Sequence, residues 1–567
     1  MHRILTGFLM FIGLSVFAQP SSVSYPKGYF RNPVTIPMSL SGNFGELRSN
    51  HYHMGLDIRT NRRENLPVVA AAEGYIAKVK IEPGGFGRAI YINHPNGYTT
   101  LYAHLNNFST QLEAYIKRRQ YELESWNIYI DIPPEAFPVK KGDFIAYSGN
   151  TGGSQAPHLH FEIRKTATDV NVNPLLFGFS LADNVKPRIT RLAVYDRTRS
   201  VYDQAPKVYS LKYAGGLYAT TSPVIAVTTP QISFGISATD NHTGSTNANG
   251  IFQSMLTVDG KNIVSFAMDN ISYNDTRYLN AHIDFRTRIL GGYYIQQLSE
   301  LPGNINTIYQ KLNGDGVIDI SDGEIHNISI TVKDANGNTS KLNTKVRYAA
   351  PERVPAEGNG KLFQPLMIDG FEAPSCEFFI GEKCLYDAAH INYAEFASAD
   401  PAGVSHVHQV GAAHIPLHEP FLIRIRLEDS LTEEHKSRTV VQWKSGSRTS
   451  VQKPEWQNGW AAARFRDFGN FQLVVDTTAP VIVPIGFSDG TDLSKASRIA
   501  FTIRDNLGQF KKVRTELNGR WLRFTNDKGR TFIYRFDEKC PRGLHELKIT
   551  AEDEAGNKVE SVYRFTR

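Results

Sequence analysis

His158 and His160 stand two residues apart in Pro157-His158-Leu159-His160-Phe161-Glu162-Ile163-Arg164, a stretch that reads as a β-strand. Alternation puts His158, His160 and Glu162 on one face and the apolar Leu159, Phe161 and Ile163 on the other. Two imidazoles on one face of a rigid strand can address the same small volume, one as a metal ligand and the other as a proton-transfer group. The same pair also occurs as plain surface or packing chemistry, so it needs partners. Upstream, His53 and Asp57 flank Met54-Gly55-Leu56 in a segment where the glycine allows the turn that lets both side chains reach one ion. An ordinary His–Asp hydrogen bond accounts for that pair equally well. A further histidine, His104, ends the strand-like run Leu101-Tyr102-Ala103-His104-Leu105, where a packed or capping role is the simplest reading.

The elements that must position these groups are mostly strands. Residues 66–104 alternate through Val68-Val69-Ala70-Ala71, Gly74 to Val79, Ala89 to Asn93 and Tyr98 to His104, and Pro95-Asn96-Gly97 marks a hairpin turn. Antiparallel β structure is predicted. Between Asn107 and Pro138 the pattern changes, with Leu112, Tyr115, Ile116, Leu123 and Trp126 at helical spacing, which predicts an inserted helix near 111–126. The run Val139 to Gly149 then returns to strand and delivers the chain to His158.

Taken in order, His53-x-x-x-Asp57, Tyr102-Ala103-His104-Leu105, Gly149-Asn150-Thr151-Gly152 and Pro157-His158-Leu159-His160-Phe161-Glu162 resemble the lysostaphin-type (LytM-like) zinc metallopeptidases, which cut peptide cross-links in peptidoglycan. The resemblance covers about 40–180 and extends to Phe44-Gly45-Glu46-Leu47-Arg48, Val68 to Ala71 with Gly74, and Val139-Lys140-Lys141-Gly142-Asp143. Two departures are Gln155-Ala156, where a Gly is usual before Pro-His, and the long 107–137 insertion. The resemblance implies one zinc ion held by His53, Asp57 and His160, with the fourth tetrahedral position left for water. It further implies His158 as general base, and His104 as the group that orients the water or stabilises the tetrahedral oxyanion. The substrate would be peptidoglycan stem peptides.

Composition bounds the remainder. The 567 residues exceed one core, and 41% apolar with 21% charged content is that of a folded soluble protein. Lys plus Arg number 62 against 56 acidic residues, spread without a dense basic run, so no nucleic-acid footprint is present. Residues 1–18 read as a signal peptide: His2 and Arg3, an apolar run from Ile4 to Phe17, then Val16-Phe17-Ala18 before Gln19. No later stretch is apolar for the ~20 residues of a membrane span. An exported protein, periplasmic or extracellular, is expected. Of the three cysteines, Cys376 and Cys384 flank a possible hairpin that a bridge could close, while Cys540 reads as a buried unpaired thiol.

The predicted class is therefore mainly β: an antiparallel peptidase domain at 19–182 with a helical insertion at about 107–137, then accessory β domains. Two downstream segments repeat. Asp240-Asn241 followed by Asp334-Ala335-Asn336-Gly337-Asn338 corresponds to Asp505-Asn506 followed by Asp553-Glu554-Ala555-Gly556-Asn557, and each segment starts at a proline, Pro187 or Pro480. Short strands with turns at these intervals suggest Ig-like β-sandwiches at 183–350 and 477–567, with a β domain of unknown type at 351–476. These modules are expected to attach the enzyme to a cell-envelope polymer or protein without entering its chemistry, and the insertion to restrict access to the groove. Two rival readings stand beside the zinc peptidase: a non-catalytic LytM-like protein that binds wall or activates an amidase, and an adhesin or glycan-binding protein with a vestigial peptidase. Two decoys are set aside. His406 and His408, with His414 and His418 nearby, lack a spaced carboxylate, and Asn313 to Asp319 resembles part of a calcium loop but has Lys311 where the first acidic ligand belongs.

Overall fold

Alternation in the first domain produces the sheet that carries the site. The structure, a computed structural model, describes residues 24–349, 358–428, 430–508 and 510–567; the expected signal peptide lies outside them. Strands β1 (Leu40–Gly42), β2 (Leu56–Arg59), β3 (Gly74–Ile81), β4 (Arg88–Asn93), β5 (Tyr98–Ala103), β6 (Ile128–Asp131) and β7 (His158–Lys165) form a sheet in the order β1-β2-β7-β5-β4-β3-β6. The β4–β5 hairpin turns at Asn96-Gly97, where Gly97 adopts φ 82°, as the Asn-Gly pair predicts.

Register is the feature that matters for chemistry. The central strand β7 runs antiparallel to β2 with His160 opposite Asp57, and antiparallel to β5 with His160 opposite Ala103. Directly paired residues share a face of the sheet, so the Asp57 carboxylate and the His160 imidazole are brought together by backbone hydrogen bonding alone. The opposite face is core: Leu56, Ile58, Tyr102, Leu159, Phe161 and Ile163 are buried together, each worth roughly 1.5–3 kcal/mol on the usual area scale. A one-residue slip of β7 would exchange these two sets.

The insertion forms helix α1 (Thr110–Glu122), which buries Leu112 and Ile116 in the first core, while Gln120 is buried elsewhere on the helix. It ends earlier than the apolar spacing predicts. Leu123 is exposed, and Glu124 takes φ 45°, which ends the helix, so Trp126 reaches the core from an irregular segment.

The later modules are all β and are joined closely to the first domain. Around 188–348 a twelve-stranded assembly surrounds a second core, which also takes in Phe44, Tyr52 and Met54 from the first domain. The first sheet continues into it through Asn171–Val172 pairing with Asn270–Ile271. Two five-stranded sheets cover 369–475, and sheets of three and five strands cover 481–566. Cys376, Cys384 and Cys540 are all free and buried, so the bridge considered for Cys376 and Cys384 does not form. Burial pushes the Cys376 and Cys384 thiols up, which suits inert core packing rather than thiolate chemistry. Among the His406-to-His418 group, His408 is held by Tyr393 and His418 lies stacked on Tyr278, both structural roles.

Candidate metal and catalytic site

Three donor atoms from two strands and one loop meet at one point. His53 Nε2 lies 2.9 Å from Asp57 Oδ1 and 3.1 Å from His160 Nδ1, and His160 Nδ1 lies 3.0 Å from Asp57 Oδ1. All three residues are buried. Two imidazole nitrogens and one carboxylate oxygen form a donor set suited to zinc, whose bonds of ~2.0–2.2 Å at tetrahedral angles put donors roughly 3.3 Å apart.

The second atom of each donor residue is already engaged, which is the strongest sign that the set fits a metal. His53 Nδ1–H donates to the Asn43 carbonyl at 2.7 Å, Asp57 Oδ2 accepts from Arg48 Nη2 at 2.8 Å, and His160 Nε2–H donates to Glu162 Oε1 at 2.8 Å. Such bonds fix tautomer and ring orientation, turning the remaining lone pair toward the centre. Asp57 is a charged group under strong constraint: burial alone would raise its carboxyl, but His53, His158 and His160 hold it well below the usual carboxylate range. Burial pulls the His160 imidazole down, yet the bonds to Asp57 and Glu162 win and raise it to about 9. A metal must displace that proton to reach Nδ1.

Both remaining histidines border the triad. His104 follows β5 in the left-handed region at φ 59°, and its Nδ1–H donates to the Thr151 carbonyl at 2.9 Å. His158 Nδ1–H donates to the Ala156 carbonyl at 2.8 Å, while its Nε2 stands 3.2 Å from Asp57 Oδ1. The rings of His104 and His158 lie 4.8 Å apart. Because a carbonyl can only accept, each Nδ1 carries a proton; that leaves Nε2 of neutral His104 an acceptor, while His158 Nε2 faces the Asp57 carboxylate. Burial, then the neighbouring His160 and His158, push His104 down to about 3, so it stays neutral. That geometry suits holding a water proton; stabilising an oxyanion would require the protonated ring.

A cleft of about 1070 Å³ opens over these groups, walled by Arg59, Arg62, Phe86, Gln155, Tyr273 and Thr276 among others. No residue of the 107–137 insertion lines it. The expected gate is therefore absent from the mouth: α1 turns its polar side to the last module, through Lys117 to Asp537 at 2.7 Å, Gln120 to Arg523 at 2.8 Å and, just beyond the helix, Glu124 to Arg514 at 2.7 Å. Arg118 and Glu122 stay exposed and Arg119 half-exposed; both arginines pair with Glu122, and none of the three lines the cleft.

The expectation that the accessory modules stand apart from the chemistry is also corrected. Tyr273 of the second module donates to Glu162 Oε1 at 2.5 Å, and Gly250 clasps Asn43 in both directions, with Asn43 Nδ2 donating to its carbonyl and its N–H donating to Asn43 Oδ1. The partners of His53 and His160 are thus both held from outside the first domain. The last module holds the Gly152–Ser154 loop: Gly152 N donates to the Asp527 carbonyl at 2.9 Å, and Lys528 Nζ donates to the Ser154 carbonyl at 2.6 Å. Thr151, which fixes His104, lies in that loop. Sequence reasoning passed over Glu162, Arg48, Asn43, Tyr273 and Lys528. Glu162 had a signal, being on the His160 face, and Arg48 stood in the 44–48 motif; Asn43, Tyr273 and Lys528 are set by contacts distant in sequence.

Comparison with known proteins converges on the same region. The profile described as Peptidase family M23 matches residues 51–121 and 135–174, leaving out part of the insertion, and one described as a Zu5-like domain matches 363–476. An uncharacterized metalloprotease of Haemophilus influenzae is 32% identical over 151 residues, 26% of each chain. The DD-carboxypeptidase/endopeptidase Mpg of Neisseria meningitidis serogroup B is 33% identical over 149 residues, again 26% of each, and the cell division protein DipM of Caulobacter vibrioides is 30% identical over 142 residues, 25% of this chain and 19% of that one. The chain thus spans about a quarter of the length of the first of these relatives. Among solved structures, the catalytic domain of lysostaphin from Staphylococcus simulans is 25% identical, with 24% of this chain and 87% of that chain covered, at a TM-score of 0.17.

Proposed function

Taking the Peptidase family M23 domain at 51–174 as the premise, we propose that the protein is an exported zinc metalloendopeptidase that hydrolyses peptide cross-links of bacterial peptidoglycan. The observation that carries this reading is the convergence of His53 Nε2, Asp57 Oδ1 and His160 Nδ1, each backed by its own hydrogen-bond partner, beneath two histidines whose Nδ1 atoms are fixed by backbone carbonyls so that their Nε2 atoms face the cluster. A zinc ion held by the three donors supplies Lewis-acid polarisation of a scissile carbonyl and acidifies water.

The chain's own residues do the rest. His158 Nε2 takes the proton of the attacking water, its ring fixed by the Ala156 carbonyl, and returns it to the leaving amine. His104 Nε2 accepts the water's other hydrogen and sets its direction of attack. Phe86 and Tyr273 wall the cleft with aromatic surface, and Arg59 and Arg62 offer positive charge to the carboxylates of an extended stem peptide. The two repeating modules are Ig-like sandwiches that tether the enzyme in the envelope and brace its catalytic domain.

Purified full-length protein tests this directly. Elemental analysis should find about one zinc per chain, reduced by His53→Ala, Asp57→Ala and His160→Ala while circular dichroism stays native. Incubation with sacculi should release cross-linked muropeptides cut within the peptide bridge. A protein that holds zinc but leaves sacculi and soluble cross-linked peptides intact would instead be the non-catalytic, wall-binding or amidase-activating form.

A further inference from the structure

The repeated aspartates of the two downstream modules have no part in the peptidase site, yet both sets are folded into the same small knot. At the head of the last module, Asp476, Asp505 and Asp553 bring carboxylate oxygens within 4.8 Å of one another. Asp476 precedes Pro480 by four residues, as Asp183 precedes Pro187 at the head of the second module, where Asp183, Asp240 and His242 form the matching group. The scaffolding is copied bond for bond. Asn557 N and Nδ2 donate to the two carboxylate oxygens of Asp553 at 2.8 and 2.9 Å, and Nδ2 also reaches the Asp476 carbonyl at 2.9 Å. Asn338 does the same to Asp334 at 2.8 and 2.7 Å and to the Asp183 carbonyl at 3.2 Å.

Two oxygens in these knots have nothing to satisfy them. Asp240 Oδ1 and Asp476 Oδ2 are buried without a hydrogen-bond partner, in residues only 2% and 3% exposed. Among the described residues, no Lys or Arg forms an ion pair with Asp183, Asp240, Asp334, Asp476 or Asp553. Lys453, which lies near the second knot, donates instead to the carbonyls of Ser437 and Ala555. Burying carboxylates such as Asp240 and Asp476 beside other acids is costly unless a cation joins them. Burial, with Asp334 and Asp183 adding to it, pushes the Asp240 carboxyl up to about 8, the direction expected of such crowding.

We propose that each knot is a binding site for a hard divalent cation of the calcium class, one held by Asp476, Asp505 and Asp553 and the other by Asp183 and Asp240. Asp334 adjoins Asp240 in the latter. Donors that are carboxylate oxygens select Ca²⁺, Mg²⁺ or Mn²⁺ over zinc, and the irregular, loop-borne arrangement favours the flexible coordination of calcium over the strict octahedron of magnesium. In the second module His242 Nδ1 lies 3.1 Å from Asp183 Oδ2 and competes for it, so that site is the weaker of the two. Each ion would join the strand entering a module to that module's own loops. Asp476 directly follows the last strand of the preceding domain, Gly469–Val475, so the ion fixes how the last module leaves it. The site is independent of the peptidase reading.

Full-length protein freed of calcium on a chelating resin should take up two Ca²⁺ in isothermal titration, with affinities in the ~10⁻⁴–10⁻³ M range of extracellular calcium modules. Ten millimolar CaCl₂ should raise the midpoint of thermal unfolding by a few degrees, and equal MgCl₂ by clearly less. Asp476→Asn and Asp240→Asn are nearly isosteric and remove no hydrogen bond from the unpartnered oxygens. Each should cut the stoichiometry from two to one, and the double variant should lose the calcium response while unfolding no earlier than the parent in chelator. Absence of calcium uptake by the parent protein overturns the proposal. So does a double variant that is less stable in chelator but keeps the parent's calcium response, because the aspartates would then be structural only.

Discussion

Replacing Glu162 by glutamine keeps the shape of the side chain and removes one charge from a fully buried position. The carboxylate accepts from His160 Nε2 at 2.8 Å and Tyr273 Oη at 2.5 Å on one oxygen, and from Arg164 Nε at 2.7 Å and Asn171 Nδ2 at 2.8 Å on the other. The amide must turn its NH₂ toward one of these pairs. Facing the Arg164 guanidinium would set donor against charged donor, so the NH₂ will face His160 and Tyr273. Tyr273 can rotate to accept. His160 can accept only by moving its proton from Nε2 to Nδ1, the atom proposed to bind the metal. The loss of a second-shell partner of this kind typically costs 10–100-fold in metal affinity, or about 1.4–2.8 kcal/mol. Separately, Arg164 keeps the amide oxygen as a neutral acceptor but only the exposed Asp169 as an ion-pair partner, so losing the buried countercharge should cost on the order of 3 kcal/mol of stability. Zinc competition against a chromophoric chelator and urea denaturation of the zinc-free protein measure the two effects apart. Zinc affinity equal to the parent's would refute both the assigned His160 tautomer and its ligation through Nδ1.

His104→Ala and His158→Ala should retain zinc and lose about 10²–10⁴-fold in turnover of a soluble cross-linked peptide; loss of the metal on elemental analysis would move that histidine into the ligand set. Lys528→Ala frees the Ser154 carbonyl from a charge-assisted bond worth about 1.5–3 kcal/mol, and should lower kcat roughly tenfold with faster hydrogen exchange across 150–156 and unchanged zinc content. Unchanged exchange in that loop would show that the last module does not hold it. Burial lowers His94 and His282 to about 4 in the folded protein. The unfolded chain takes up these protons from pH ~6.5, so the stabilisation is complete above that value and is lost as pH falls toward 4. The loss is on the order of 3 kcal/mol per group. Unfolding midpoints across pH 4–7 should show this slope, and His282→Gln should flatten it; equal slopes would discount His282.

How much of this could be read without a structure depends on the range over which each signal acts. Period-two alternation is a local property, and it placed His158, His160 and Glu162 on one face and Leu159, Phe161 and Ile163 in the core. Asn96-Gly97 specified its hairpin because positive φ is a local demand. The spacing of His53, Asp57, His104 and His160 named the residues that meet, although nothing in the spacing sets the pairing of His160 with Asp57 on one side and Ala103 on the other. That register comes from the sheet as a whole, where a one-residue slip would put charges into the core. The helix at 110–122 was legible from its apolar stripe, but the partner of its polar face was not, since Lys117 meets Asp537 across 420 residues with no periodicity to announce it. For the same reason the sequence suggested a gate where the structure has a brace, and suggested bystander modules where Gly250, Tyr273 and Lys528 grip the groups around the site. The repeated Asp and Asn residues were visible as a pattern, but their meaning depended on burial. Only the folded chain brings Asp183 and Asp476 to the loops they join, and strips water from carboxylates that could remain charged without cost on an open strand.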